Sequence, residues 1–145
     1  MSHHCKSAVV TCEDFRLHQR QDGRNYIAEF IKNLKNDADL ITRAGGIQDL
    51  VRPKESGFKN SLLRDLAVSV ELHNASEICL INHADCGAYN GFNFQNKEDE
   101  LNQHKKDLNE AEEIIGKEFP GKDIKLYFAG LKNGSADEFE INEIP

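Results

Sequence analysis

The sequence predicts an α/β fold: a mostly parallel central sheet of four strands plus an antiparallel C-terminal edge strand, flanked by helices. Three observations predict it. Short apolar runs recur at Ser7–Thr11, Asp39–Thr42, Glu77–Asn82 and Ile124–Leu131, each four to eight residues long. Between them lie segments with apolar residues at helical spacing, and strands alternating with helices imply parallel pairing with helices on both faces. After the fourth run comes Lys132-Asn133-Gly134-Ser135, whose Asn-Gly step is a hairpin signal, and then a short run, Phe139–Ile144.

Each element has its own warrant. Ser7-Ala8-Val9-Val10-Thr11 is short and apolar enough for a buried strand ending at Cys12. Tyr26, Ile27, Phe30, Ile31 and Leu34 share one helical face. The second strand ends in Ala44-Gly45-Gly46. Leu62, Leu63, Leu66, Ala67 and Val70 predict a helix over Ser61–His73, with Asn60 or Ser61 as its cap. The third strand delivers His83 at its end. Glu98–Phe119 reads as a long charged helix with a narrow stripe of Leu101, Leu108, Ala111, Ile114 and Ile115, ended by Pro120-Gly121.

The 145 residues are expected to form one domain, spanning 1–145. Eighteen Lys and Arg stand against 25 Asp and Glu, a net charge of −7. Such an acidic chain without a basic cluster argues against nucleic-acid binding. No apolar run approaches the roughly 18 residues of a membrane span. The start, Met-Ser-His-His-Cys, lacks an apolar signal core, so a cytoplasmic setting is expected. There, cysteines are expected as free thiols or metal ligands. Cys79, inside an apolar run, reads as a core residue; Cys5 reads as part of a frayed end beside His3 and His4.

Two fragments carry the chemistry. Cys12-Glu13-Asp14-Phe15-Arg16 offers a thiolate with a carboxylate and a guanidinium two and four residues on. His83-Ala84-Asp85-Cys86-Gly87 offers an imidazole and a second thiolate three residues apart. Two Cys and one His make a three-ligand zinc set, which leaves a fourth position for water. Open α/β sheets bind ligands outside the carboxyl ends of their strands, where Cys12 and His83 are expected, with Cys86 shortly after. Cys12, His83 and Cys86 are therefore the candidate Zn2+ ligands. Asp14 can accept a hydrogen bond from a water at the metal, and Arg16 can keep Asp14 ionised. Asp85 is read as support, capping the next segment or pairing with an arginine. Gly45, Gly46 and Gly87 are expected to allow close backbone approach. Ala88–Asn96, rich in aromatics, Asn and Gly, reads as a pocket wall or lid, or as an oligomer contact. His18 reads as a loop residue or a proton shuttle, and His73 and His104 have no legible partner. Neither Cys12 nor Cys86 begins a Cys-x5-Arg phosphate loop.

Together with Arg43-Ala44-Gly45-Gly46, these fragments resemble the β-class carbonic anhydrases. That family carries Cys-x-Asp-x-Arg after its first strand, an Ala-Gly turn after its second and His-x-x-Cys-Gly after its third. The resemblance runs from about Ser7 to the C-terminal hairpin. It implies reversible hydration of carbon dioxide to bicarbonate by a zinc-bound hydroxide, with Asp14 and Arg16 as catalytic residues. It also implies a homodimer or higher homo-oligomer, with Arg43 or residues 88–96 near the interface. In the family, the Asp can also swing onto the zinc and close the fourth position. Three departures stand out. Thr42-Arg43 occupies positions where the family usually has Arg-Asn. Only eleven residues precede Cys12, where a longer helical arm is typical. Ala88-Tyr89 follows the His-x-x-Cys-Gly motif in place of an aliphatic helix start. Two alternatives follow: a zinc hydrolase of a small carbon–sulfur electrophile such as carbon disulfide, and a zinc- or bicarbonate-binding module without turnover.

Overall fold

The computed structural model describes residues 3–145; Met1 and Ser2, part of the N-terminal stretch read for a signal core, lie outside it. Five strands, β1 (Ser7–Cys12), β2 (Ala38–Arg43), β3 (Glu77–His83), β4 (Asp123–Leu131) and β5 (Phe139–Ile144), form one sheet in the order β2-β1-β3-β4-β5. The first four are parallel. β5 returns antiparallel to β4 and closes one edge, as the Asn-Gly turn predicts.

β1 and β3 are buried along their whole length, because helices cover both sides of the sheet. Alternation then divides their side chains between two cores. Ala8, Val10, Ile78 and Leu80 face the helices α2 (Gln48–Val51), α3 (Ser56–Ala67) and α4 (Lys97–Glu118) through Leu50, Leu62, Leu66, Leu108 and Ile115. Val9, Cys79 and Ile81 face the other way, toward Ile27 of α1 (Tyr26–Leu34). Cys79 is fully buried there, and burial pushes its thiol up to about 12, which fits the core reading.

Several local expectations are corrected. α3 begins at Ser56, five residues before the predicted start, with the Phe58 N–H already donating to the Glu55 carbonyl at 3.0 Å. Ser61 and Asn60 are therefore interior and cap nothing. The position before the helix is Glu55, which makes no side-chain cap bond. The segment Val68–Leu72 continues α3 with π geometry and buries Ser69 and Val70. In α4 the buried face is His104, Asp107, Leu108, Ala111 and Ile115, so two polar residues occupy what was read as a purely apolar stripe. Asn25 and Asn96 cap α1 and α4, their side-chain oxygens accepting from Ala28 N at 2.8 Å and Asp99 N at 2.9 Å. The N-terminal segment is not frayed at Cys5, whose N–H donates to the His73 carbonyl at 3.1 Å.

Candidate metal centre

β1 and β3 are neighbours, so their last residues, Cys12 and His83, arrive side by side at the carboxyl edge of the sheet. Beyond His83 the chain turns through Asp85, which takes a left-handed conformation (φ 57°), and brings Cys86 back over the strand end. The Sγ atoms of Cys12 and Cys86 and a ring nitrogen of His83 all lie within 4.8 Å of one another, and all three residues are buried. The two Sγ atoms are 3.9 Å apart. A tetrahedral zinc with Zn–S bonds of about 2.3 Å holds its sulfurs about 3.8 Å apart, so the pair is already spaced for one ion.

The histidine ring is held in one orientation. Its Nδ1–H donates to the Ala84 carbonyl at 2.8 Å, which fixes the tautomer and leaves Nε2 with a free lone pair. Nε2 is buried and has no hydrogen-bond partner. A buried, unpaired acceptor beside two thiols is costly unless something electrophilic binds it, so the donor set fits a soft divalent ion. The Cys86 thiol, donating toward Cys12, lowers the Cys12 pKa well below the usual thiol value, and His83 adds to this. The same contact, with burial, holds the Cys86 proton on. The pair thus shares one proton that a metal would displace. Gly45 N–H donates to Cys12 Sγ at 3.4 Å. Gly45 and Gly46 both have positive φ, and a side chain on Gly46 would meet Asn82 Oδ1 at 2.9 Å, so the close approach expected at these two positions is required. It is not required at Gly87, which opens onto free space; the amides facing Cys86 are those of Ala88 and Tyr89.

Asp14 Oδ2 lies 3.9 Å from His83 Nε2, bordering the same point in space. It does not reach the ligand cluster because Arg16 holds it: Arg16 Nη2 donates to Oδ2 at 2.8 Å, Nε to Oδ1 at 3.1 Å, and the Arg16 backbone N–H to Oδ1 at 2.9 Å. Burial pushes the Asp14 carboxyl up, but these bonds, together with His83, outweigh it and keep the group below the usual carboxylate range. Arg16 is itself anchored by Asp85 Oδ2 at 3.0 Å and the carbonyls of Asp85 and Ala136 at 2.9 Å, and it stacks over Phe139. Of the two readings of Asp85, the arginine pairing is the one observed. His18 is neither a free loop residue nor directed at the ligands: its Nε2 lies 2.8 Å from the Cys12 carbonyl.

Behind the site runs a buried polar network that sequence reasoning missed. Asn82 Nδ2 donates to His104 Nδ1 at 2.9 Å and to the Tyr89 hydroxyl oxygen at 3.2 Å. The Tyr89 hydroxyl donates to Asp107 Oδ2 at 2.6 Å, and Arg52 clamps Asp107 through two bonds, at 2.7 and 2.6 Å. Tyr89 is therefore buried rather than an exposed loop aromatic, while Phe92 and Phe94 stack outside it. The signal was present: 104, 108, 111 and 115 are helix-spaced, and His104 belongs to that row. Arg43 pairs with Asp49 at 2.9 Å and donates to Ser61 Oγ and the Phe58 carbonyl, tying β2 to the helices beside it.

This fold and ligand geometry define an α/β protein with a candidate Cys2His metal centre at the carboxyl edge of its sheet. The sequence model of the family described as "Putative carbonic anhydrase" matches residues 2–136, and the chain belongs to that family. Among curated proteins it is 28% identical over 129 residues to an uncharacterized protein of Rickettsia bellii, covering 85% of this chain and 75% of that one. It is 27% identical over 139 residues to one of Rickettsia conorii, covering 92% and 72%. Among solved structures it resembles the carbonic anhydrase of Glaciozyma antarctica, with TM-score 0.57, 17% identity, and 99% and 83% coverage. It likewise resembles that of Streptococcus mutans, with TM-score 0.53, 21% identity, and 99% and 84% coverage. A carbon disulfide hydrolase in its apo form is similar too, with TM-score 0.53, 17% identity, and 90% and 76% coverage. At these identities the likeness is one of fold.

Proposed function

We propose that the protein catalyses the reversible hydration of carbon dioxide to bicarbonate, with one zinc ion held by Cys12, His83 and Cys86. The observation that carries this reading is the buried, unpaired Nε2 of His83, facing two thiols at zinc-compatible spacing with the Asp14–Arg16 pair at its border. Zinc bound there supplies Lewis acidity that brings the pKa of water toward neutrality. The protein supplies the rest. Two thiolates offset the charge of the ion, so water at the site needs an oriented acceptor. Asp14 is that acceptor: ionised, held in place, and bordering the ligand cluster with Oδ2 3.9 Å from His83 Nε2. Arg16 fixes its direction and keeps it from the cluster. Phe139 and Tyr89 wall the site with aromatic surface, which suits a small uncharged substrate.

The same groups would serve hydrolysis of a small carbon–sulfur electrophile, and the likeness to a carbon disulfide hydrolase makes this the second reading. We place the activity in the cytoplasm, where buried thiols 3.9 Å apart stay reduced, and in a homodimer or larger homo-oligomer. Among the described residues, no helix is long and apolar enough to cross a membrane.

Zinc content and hydration rate, measured together, test the reading. A Cys12→Ser, Cys86→Ser double variant is expected to lose one equivalent of metal and all turnover. Asp14→Asn is expected to keep its metal and lose on the order of a hundredfold in rate. Unchanged metal content in the double variant would sink the ligand assignment. A wild-type chain that consumes carbon disulfide but not carbon dioxide would select the second reading. A metal-loaded chain that turns over neither would leave a binding module. Sedimentation at micromolar concentration giving only a species of about 16 kDa, the 16.4 kDa chain mass, would contradict the oligomer.

A further inference from the structure

A second cluster of ligand-type side chains lies at the opposite, amino-terminal edge of the sheet. Cys5 comes just before β1, Asp39 is the second residue of β2, and His73 follows the π segment after α3. One donor atom from each lies within 4.8 Å of the others. Cys5 lies seven residue steps before Cys12, about 23 Å of extended chain at about 3.3 Å per step, so this cluster is distinct from the first.

The cluster is built, not incidental. His73 Nδ1 and Asp39 Oδ2 are 2.6 Å apart, and Ser69 Oγ donates to the same carboxylate oxygen at 2.8 Å. The backbone N–H of Cys5 donates to the His73 carbonyl, which holds the two residues together. The His3 ring lies against that of His73, with centroids 4.8 Å apart, and brings a further imidazole to the same place. The His73 and Asp39 side chains are 26% and 30% exposed, so an ion can reach them. A groove lined by Asp39, Ser69 and His73 opens beside them.

A nucleophilic Cys-His pair is the competing use of these groups. The geometry is against it: the Cys5 thiol donates to the Ser7 carbonyl at 3.4 Å, and the His73 bond goes to Asp39. A surface Asp–His ion pair would account for two of the residues but not for a cysteine held within reach of both. Thiolate, imidazole and carboxylate together form a mixed S/N/O set, which favours zinc and its transition-metal neighbours over magnesium or calcium. Tetrahedral zinc needs donor atoms about 3.3 to 3.8 Å apart, so side-chain shifts of about 1 Å form the set: the more distant donors move in, and the His73–Asp39 pair, now 2.6 Å apart, opens around the ion.

We propose that Cys5, Asp39 and His73, with His3 as a fourth donor, form a second binding site for a divalent transition metal of the zinc class. The ion would staple the N-terminal segment to the edge strand β2 and the end of α3. As the sulfur–metal bond forms, the thiol proton leaves to solvent, and nothing is oxidised or reduced. The proposal is independent of the reaction assigned to the first site.

Metal-stripped full-length protein is titrated with zinc and, separately, cobalt. Bound metal per chain is measured by elemental analysis after dialysis, and the cobalt–thiolate absorption by spectroscopy. The wild type is expected to bind two equivalents, and the Cys12→Ser, Cys86→Ser variant one, still with a cobalt–thiolate band. Adding Cys5→Ser to that variant is expected to abolish the band, and His73→Gln to weaken zinc binding tenfold or more. A wild-type chain whose bound metal is lost completely in the Cys12→Ser, Cys86→Ser variant overturns the proposal. So does a second equivalent that survives both Cys5→Ser and His73→Gln, or one that is lost with His4→Ala alone. Should Cys5→Ser fail to fold, His73→Gln and the cobalt band of the double variant decide.

Discussion

Arg16→Ala tests whether Asp14 is a positioned catalytic group or a surface acid near a metal site. The arginine side chain is 13% exposed and that of Asp14 15%, so the pair is largely out of water. The substitution removes the guanidinium donors to Asp14, those to Asp85 and Ala136, and the stacking over Phe139. Removing one partner of a buried ion pair costs about 3–5 kcal/mol. The residual exposure and the surviving backbone bond from residue 16 place the expected loss near the lower end, about 3 kcal/mol in urea unfolding at fixed zinc. Burial, the largest single influence on the Asp14 carboxyl, then acts with less opposition, and its pKa rises. The sign follows. In the wild type the folded-state pKa lies below the ordinary aspartate value of 3.8, so the pair contributes stability above that pH and loses it as pH falls further. In the variant this acid-side loss shrinks. Freed from its clamp, Asp14 can move toward His83 and compete with water, so hydration should fall on the order of a hundredfold or more while metal is retained. Arg16→Lys keeps the charge but not the planar set of donors and should fall between. Arg16→Ala with full rate and unchanged stability would refute the reasoning.

Arg52→Ala should cost about 2 kcal/mol in denaturant unfolding. It strands Asp107, whose side chain is 1% exposed, but the guanidinium is 37% exposed and the bonds from Tyr89 and Gln103 remain. Replacing Arg52 and Asp107 together by Met and Leu should recover part of that loss, read as coupling in a double-mutant cycle. Burial lowers the His104 pKa to about 4. The unfolded chain therefore takes up that proton first as pH falls. Stability is lost between about 6.5 and 4, by up to about 3 kcal/mol. His104→Gln should remove that part of the slope between pH 7 and 4.5, and an unchanged slope would show that His104 is not its source.

The parallel sheet with its antiparallel edge strand, and the meeting of Cys12, His83 and Cys86, were legible because both rest on strong, local signals. Apolar runs of strand length fix where β1 and β3 end, and the sheet's parallel geometry then brings Cys12 and His83 together. Helix bounds were harder. Gly57 and the polar residues beside it hide the first turn of α3, which is exposed and adds nothing to the buried face of Leu62 and Leu66 that the apolar pattern reveals. Of the Asn82–Tyr89–His104–Asp107–Arg52 network only His104 left a signal, through its helix spacing with Leu108, Ala111 and Ile115; each other member is an ordinary polar residue until the fold buries it among the others. The Cys5–Asp39–His73 cluster joins three segments that no motif links: the pairing of β1 with β2 brings Cys5 near Asp39, and the end of the α3 extension docks His73 against both.

The candidate ligands come from β1, the end of β3 and the turn that follows it, yet the site's geometry depends equally on the C-terminal hairpin. Arg16 donates to the carbonyl of Ala136, in the β4–β5 connection, and Asp137 beside it receives Arg20 and Arg24. Phe139, the first residue of β5, meets the His83 ring edge to face at 5.9 Å and lies under the Arg16 guanidinium. The family match ends at residue 136, three residues before this aromatic. A hairpin that only closed the sheet edge would leave the clamp on Asp14 to local contacts. Here the connection supplies one of the acceptors that aim the arginine, and β5 supplies the surface it rests on. The antiparallel strand is thus part of the machinery that holds the carboxylate ionised and off the ligand cluster.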